Sequence, residues 1–187
     1  MNNKLDDTFV IMGIDPGTNI MGFGIIKVEK KEMRLIDMIE YKLPKSDDHN
    51  LKLSKIFKKT TELIKIHRPN YISIESPFFG KNVQSMLKLG RAQGVSIAAA
   101  LNSKIPITEY SPKKIKMAIT GNGNSSKEQV AKMLKSMLKI KELPKNLDST
   151  DGLAAAVCHF FNFQNEKQKK KYSGWSSFID KNPNKIA

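Results

Sequence analysis

The sequence predicts an α/β domain: a mixed five-stranded sheet with helices on both faces. Three observations predict it. Apolar strand-like runs follow one another near the N-terminus, two more short runs each follow a helical pattern, and helical periodicity fills the last third of the chain. At 187 residues the chain has the length of one domain with a single sizeable core, too short for two catalytic lobes.

Taken in order, the run from Phe9 to Asp15, FVIMGID, is mostly apolar and stops at Pro16-Gly17, as a buried strand stopped by a tight turn does. Asn19 to Val28 and Met33 to Leu43 are the next two strands, and the charged Glu29 to Glu32 segment is the hairpin between them. After Pro44 and a polar stretch, Leu51, Leu53, Ile56, Phe57, Leu63, Ile64 and Ile66 recur at helical spacing and end before Pro69. Tyr71 to Glu75, YISIE, is a short strand broken by Pro77. The loop SPFFGKN leads to a helix from about Val83 to Asn102 and then a strand from about Ile105 to Tyr110. Pro112 suits the first position of a short helix. Ser126 caps another helix expected to run to about Ile140, and a last one covers roughly Asp148 to Phe163. The expected domain is therefore 9–163, with a basic C-terminal tail over 164–187.

Composition excludes several classes. Apolar residues make up 40% and charged residues 27%, so neither wholesale disorder nor a membrane bundle fits. The longest apolar stretch, Val95 to Leu101, falls far short of the ~20 residues of a spanning helix. Two acids where a signal peptide carries a basic region, and the lone Cys158, lead to the expectation of a cytoplasmic protein without disulfides. Thirty-two basic against eighteen acidic residues give a net charge of +14, the balance expected of a polyphosphate binder. A nucleic acid is the favoured partner; an anionic membrane surface and a merely solvated basic surface are the alternatives. Arg34, Arg68 and Arg91 are the only arginines, leaving 29 lysines. Lysine grips phosphate as a point charge, whereas arginine supplies the fork that reads guanine edges, so the composition favours holding a backbone or a shape.

Acids are the unusual residues on such a chain. Asp15 ends the first strand in a Gly-x-Asp-Pro-Gly turn, where Gly17 is expected to let a backbone pass close to a ligand. Glu75 ends YISIE, and Asp148 and Asp151, three apart, share one face at the start of the last helix. Carboxylates gathered at one end of a sheet repel unless a cation neutralises them, and oxygen-only ligation suits Mg²⁺ or Mn²⁺. Two such ions bound to one phosphate promote phosphodiester hydrolysis. The pattern alone leaves other readings open: helix N-terminus electrostatics for Asp148 and Asp151, a turn former at Asp15, and a solvated strand end at Glu75.

GIDPGTNIMGFGII (13 to 26), ISIESPFFGKNVQSMLKLGRAQGVSIAAALN (72 to 102) and LDSTDGLAAAVCHFF (147 to 161) together resemble the RuvC family of Holliday junction resolvases, in one register from about Ile11 to Phe161. The resemblance implies a ribonuclease H-like fold and a homodimer that nicks two symmetric strands of a four-way DNA junction with divalent metal, in recombination and repair. It also implies partnership with the branch-migration complex RuvA-RuvB. By position, the family's catalytic and metal-binding acids match Asp15, Glu75, Asp148 and Asp151. Two Mg²⁺ ions per site are expected, with Mn²⁺ a possible substitute. The aromatic residue near the junction centre matches Phe78, and the basic residues around the scissile phosphate match Lys116 and Lys127; Lys81, in the Phe78 loop, is counted with the DNA contacts. Ser76-Pro77 departs from the family, where a glutamine commonly follows the glutamate.

Taken as residues, Phe78 and Phe79 are better explained as core under their loop than as base-stacking groups. Gly90, Gly94 and Ala98 recur every four residues and leave a smooth helix face, either packed on the protein's own sheet or, as the resemblance favours, forming a dimer seam with Arg91 at its rim. His49, His67 and His159 are scattered and read as structural or surface groups. GNGNSSKEQ lacks the spacing of a phosphate-binding P-loop. GIDPGT also resembles the phosphate loop of the actin and sugar-kinase superfamily, whose two lobes this chain is too short to supply. Remaining rivals are a ribonuclease H-like nuclease acting on RNA or hybrid duplexes and a noncatalytic DNA-binding module.

Overall fold

A computed structural model of the chain describes residues 8–77, 82–144 and 146–169. Five strands and five helices follow in the order β1 (Phe9–Asp15), β2 (Ile20–Glu29), β3 (Glu32–Lys42), α1 (His49–His67), β4 (Tyr71–Glu75), α2 (Val83–Asn102), β5 (Ile107–Tyr110), α3 (Pro112–Thr120), α4 (Lys127–Met137) and α5 (Asp148–Lys169). The expected mixed sheet is present, ordered β3-β2-β1-β4-β5. The β1–β2 and β2–β3 pairs are antiparallel, and β1–β4 and β4–β5 are parallel.

Alternation along the strands divides the interior in two. Met12, Ile14, Met21, Phe23, Ile25, Ile72 and Ile74 point to one face, where Ile56, Leu63 and Ile64 of α1 and Ala92 and Ala100 of α2 cover them. Ile11, Ile26 and Val28 point to the other, under Ile115 and Ile119 of α3, Val130 and Leu134 of α4, and the Leu153–Cys158 stretch of α5. Helices therefore lie on both faces, as the pattern of elements implied.

The helix α5 comes unusually close to the sheet. A Cβ built at Gly13 would overlap the Gly152 carbonyl, one at Gly22 the Asp148 carbonyl, and one at Gly24 the backbone of Leu153; one at Gly152 would lie 2.5 Å from the Gly22 carbonyl oxygen. Glycine at these four places lets the first turns of α5 rest on the backbone of β1 and β2. Gly17, expected to accommodate a ligand, has its Cβ position filled instead by the Ile20 carbonyl, so it closes the β1–β2 loop on itself.

Other expectations need correction at their ends. The helix α4 stops at Met137 rather than near Ile140: Lys139 turns left-handed (φ 52°) and the Ile140 amide donates to the Lys135 carbonyl at 3.0 Å. That is a Schellman stop made without glycine, which hides it in the sequence. Strand β5 starts at Ile107, two residues later than expected, and α5 continues six residues past Phe163. Ser126 caps α4 as expected, with Gln129 completing a capping box.

Candidate active site

The β1–β4 register pairs Ile14 with Ile74, so Asp15 and Glu75 are the next residues on two adjacent parallel strands. Both follow the odd-numbered alternation of Ile11 and Gly13, which puts them on the face that α5 covers. Since α5 begins at Asp148, directly over Gly22, its first turn delivers Asp148 and Asp151 to the same sheet end. Thr150 steadies that turn, its hydroxyl and its amide both donating to the Leu147 carbonyl, at 2.5 and 2.8 Å.

The four carboxylates perturb one another. Burial, followed by repulsion from Glu75 and Asp151, raises the Asp15 pKa well above the aspartate range. Burial, then the Asp151 charge, lifts Glu75 to about 7, against the opposing pull of Lys116 and Lys127. Burial also raises Asp151. Asp148 differs: hydrogen bonding from Lys127, helped by Asn146, outweighs its burial and lowers it. The Lys127 ammonium lies 2.7 Å from Asp148 Oδ1 and 2.7 Å from Asp151 Oδ2. Burial works against its charge, but the two carboxylates overcome that and raise its pKa. Lys116, Lys127, Glu75 and Asp151 line a cavity of about 250 Å³, and Asp15 and Glu75 border a neighbouring one of about 200 Å³.

The structure thus brings together six residues singled out in the sequence: Asp15, Glu75, Asp148, Asp151, Lys116 and Lys127. Phe78 and Lys81 lie outside the described residues. Asn146, whose side-chain amide donates to Asp148 Oδ2 at 2.8 Å, was not anticipated; its place two residues before an aspartate was the only signal. Two of the three histidines have the structural and surface places expected of them: His159 meets the Tyr110 hydroxyl at 2.9 Å and His67 stands 3.5 Å from Asp37.

Among the described residues no three His, Cys, Asp or Glu side chains already form a metal cage. Yet the donor set fits a hard divalent cation. The donors on offer are all carboxylates, three of them are raised toward the protonated form, and the cation seen between Asp148 and Asp151 is a lysine reaching in from another helix. Positive charge on Lys116 and Lys127 beside this cluster suits a phosphate substrate.

The family model for crossover junction endodeoxyribonuclease RuvC matches residues 11–159. A crossover junction endodeoxyribonuclease RuvC of Christiangramia forsetii is 65% identical over 177 residues, covering 95% of this chain and 92% of the relative. That of Bacteroides fragilis is 54% identical over 179 residues, covering 95% of each. Among solved structures, Thermus thermophilus RuvC in complex with a Holliday junction substrate superposes with a TM-score of 0.78 at 29% identity, covering 84% of this chain and 96% of the other.

Proposed function

Because this chain belongs to the RuvC family of crossover junction endodeoxyribonucleases, with its ribonuclease H-like fold, we propose that it resolves Holliday junctions by nicking two symmetric strands at the carboxylate end of its sheet. The observation that carries the assignment of the site is the convergence of Asp15, Glu75, Asp148 and Asp151 around the Lys127 ammonium.

In this reading the four carboxylates hold divalent metal, Mg²⁺ with Mn²⁺ as a substitute, two ions per site. Bound there, the metal supplies charge neutralisation and an activated water for phosphodiester hydrolysis. The protein's part is positioning. Asp15 and Glu75 are fixed by paired strands, and Asp148 and Asp151 by a helix seated on glycines, so the ligands are organised before substrate arrives. Lys127 compensates the aspartates in the free protein, and with Lys116 is placed to hold the scissile phosphate. Phe78 engages opened bases at the junction centre, and Lys81 is a further DNA contact.

A junction offers two equivalent strands, and a two-fold dimer offers two sites in the same symmetry. The α2 face supports that assembly: Cβ atoms built at Gly90 and Gly94 meet nothing within 4 Å, and Val83, Leu87 and Leu101 are exposed. Packing on the protein's own sheet, the competing explanation, therefore does not account for these glycines. The same reading includes residence in the cytoplasm, a functional partnership with RuvA-RuvB, and a nuclease domain over 9–163 followed by a basic tail. The test is incubation of the protein with a synthetic four-way junction and with plain duplex, each with and without Mg²⁺. Paired nicks confined to the junction and dependent on metal are expected; equal cutting of duplex, or metal-independent cutting, would overturn the proposal.

A further inference from the structure

Beside the carboxylates lies a polar cavity of about 440 Å³ with walls from three elements. The β1–β2 loop contributes Thr18 and Asn19, the start of α1 contributes His49 and Lys52, and the first half of α2 contributes Ser85 and Lys88. Leu89 borders both this cavity and the smaller one containing Asp15 and Glu75, so the two are neighbours. The loop that begins at Asp15 leads from one into the other.

The charge in this cavity is unbalanced. Its acid, Asp47, is already paired with Lys55 at 2.6 Å. Lys52 donates to the neutral Asn19 side chain at 3.2 Å, and neither Lys52 nor Lys88 makes an ion pair with a described acidic residue. His49 Nε2 is shielded from solvent and has no hydrogen-bond partner. Two ammonium groups from different helices and two hydroxyls border one space whose acid is already paired, a donor-rich set with capacity for an anion.

We propose that this cavity is a subsite for a backbone phosphate of the cut strand, flanking the scissile one and held by Lys52 and Lys88. The inference rests on the nuclease reading above. A strand seated with one phosphate at the carboxylates carries its next phosphates along the Asp15–Asn19 loop toward these lysines. The contact is blind to base identity, and it fixes the strand's direction through the active site rather than its sequence.

The test uses the full chain, the single variants Lys52→Gln and Lys88→Gln, the double variant, and a four-way junction with or without a neutral methylphosphonate at each position flanking the cut. Each lysine lost should lower the salt slope of junction binding by about one and weaken affinity about 8-fold at 0.1 M salt. In the wild type, one flanking methylphosphonate should weaken binding similarly; in the double variant it should have no further effect. Unchanged slope and affinity in the double variant, or full sensitivity of that variant to every methylphosphonate, would overturn the subsite while leaving the nuclease assignment intact. A wild type that fails to cut the unmodified junction would instead overturn the reading on which the subsite depends. Each variant's thermal midpoint should match the wild type's, and a variant that melts early is replaced by the corresponding Lys→Met.

Discussion

Replacing Glu75 with glutamine should make the metal-free protein more stable as well as inactive. Glu75 titrates at about 7 in the fold against its ordinary 4.5, chiefly because it is buried and then because Asp151 repels it. The folded protein therefore keeps this proton where the unfolded chain has lost it, so stability falls as pH rises from about 4.5 through about 7. At about 1.4 kcal/mol per pH unit, that window corresponds to about 3 kcal/mol lost by pH 8, which a permanently neutral glutamine does not lose. With a urea slope of about 2 kcal/mol/M, the Glu75→Gln midpoint should exceed the wild type's by about 1.5 M at pH 8 in EDTA, and the two should converge near pH 4.5. Saturating Mg²⁺ should stabilise the wild type at pH 8 and remove most of the difference. Parallel stability curves for the two proteins in EDTA would refute the reasoning, because they would mean that Glu75 carries its charge in the fold without cost.

Asp15→Asn should reduce cleavage by orders of magnitude while junction affinity is largely kept, as measured by gel shift beside a nicking assay. Lys127→Ala removes the cation between Asp148 and Asp151; cleavage should fall on every junction sequence tested, and the free protein should lose stability at neutral pH, read by urea unfolding. Gly94→Leu should leave the monomer's fold intact by circular dichroism, because its side chain enters open space, yet shift sedimentation toward monomer and remove the concentration dependence of the thermal midpoint. Gly152→Val should cost about 3 kcal/mol or more, since its Cβ meets the Gly22 carbonyl and neither backbone has room to yield.

The sheet and its helices were legible because period-two and period-3.6 apolar patterns hardly overlap in this chain, and because Pro16, Pro69 and Pro77 mark boundaries plainly. Asp15, Glu75, Asp148 and Asp151 were legible as acids at element ends on a basic protein. What the residues could not disclose was the partner of each group. Lys127 was identifiable by resemblance, but its position between two carboxylates depends on how α4 crosses α5. Asn146 gave too local a signal to separate an amide that holds the Asp148 carboxylate from an ordinary loop residue. Gly17 was assigned the wrong neighbour because a missing Cβ records that something comes close without recording what. The Lys139 helix stop escaped notice because the left-handed position there is filled by lysine.

The seating of α5 on glycine has a consequence for how this protein tolerates change. Where two backbones touch, there is no side chain to re-form, trim or swap, so the spacing between the strand acids and the helix acids carries almost no adjustable part. Substitutions among Ile56, Leu63 or Phe23, on the far side of the sheet, can loosen that half of the interior without changing the reach from Asp15 to Asp151. Sequence drift is thereby free to reshape the outer surfaces, including those proposed to meet DNA or a second subunit. The proposed chemical centre stays in gauge, since edits at the glycine contacts between α5 and the sheet alter its dimensions and almost any replacement there is heavily penalised.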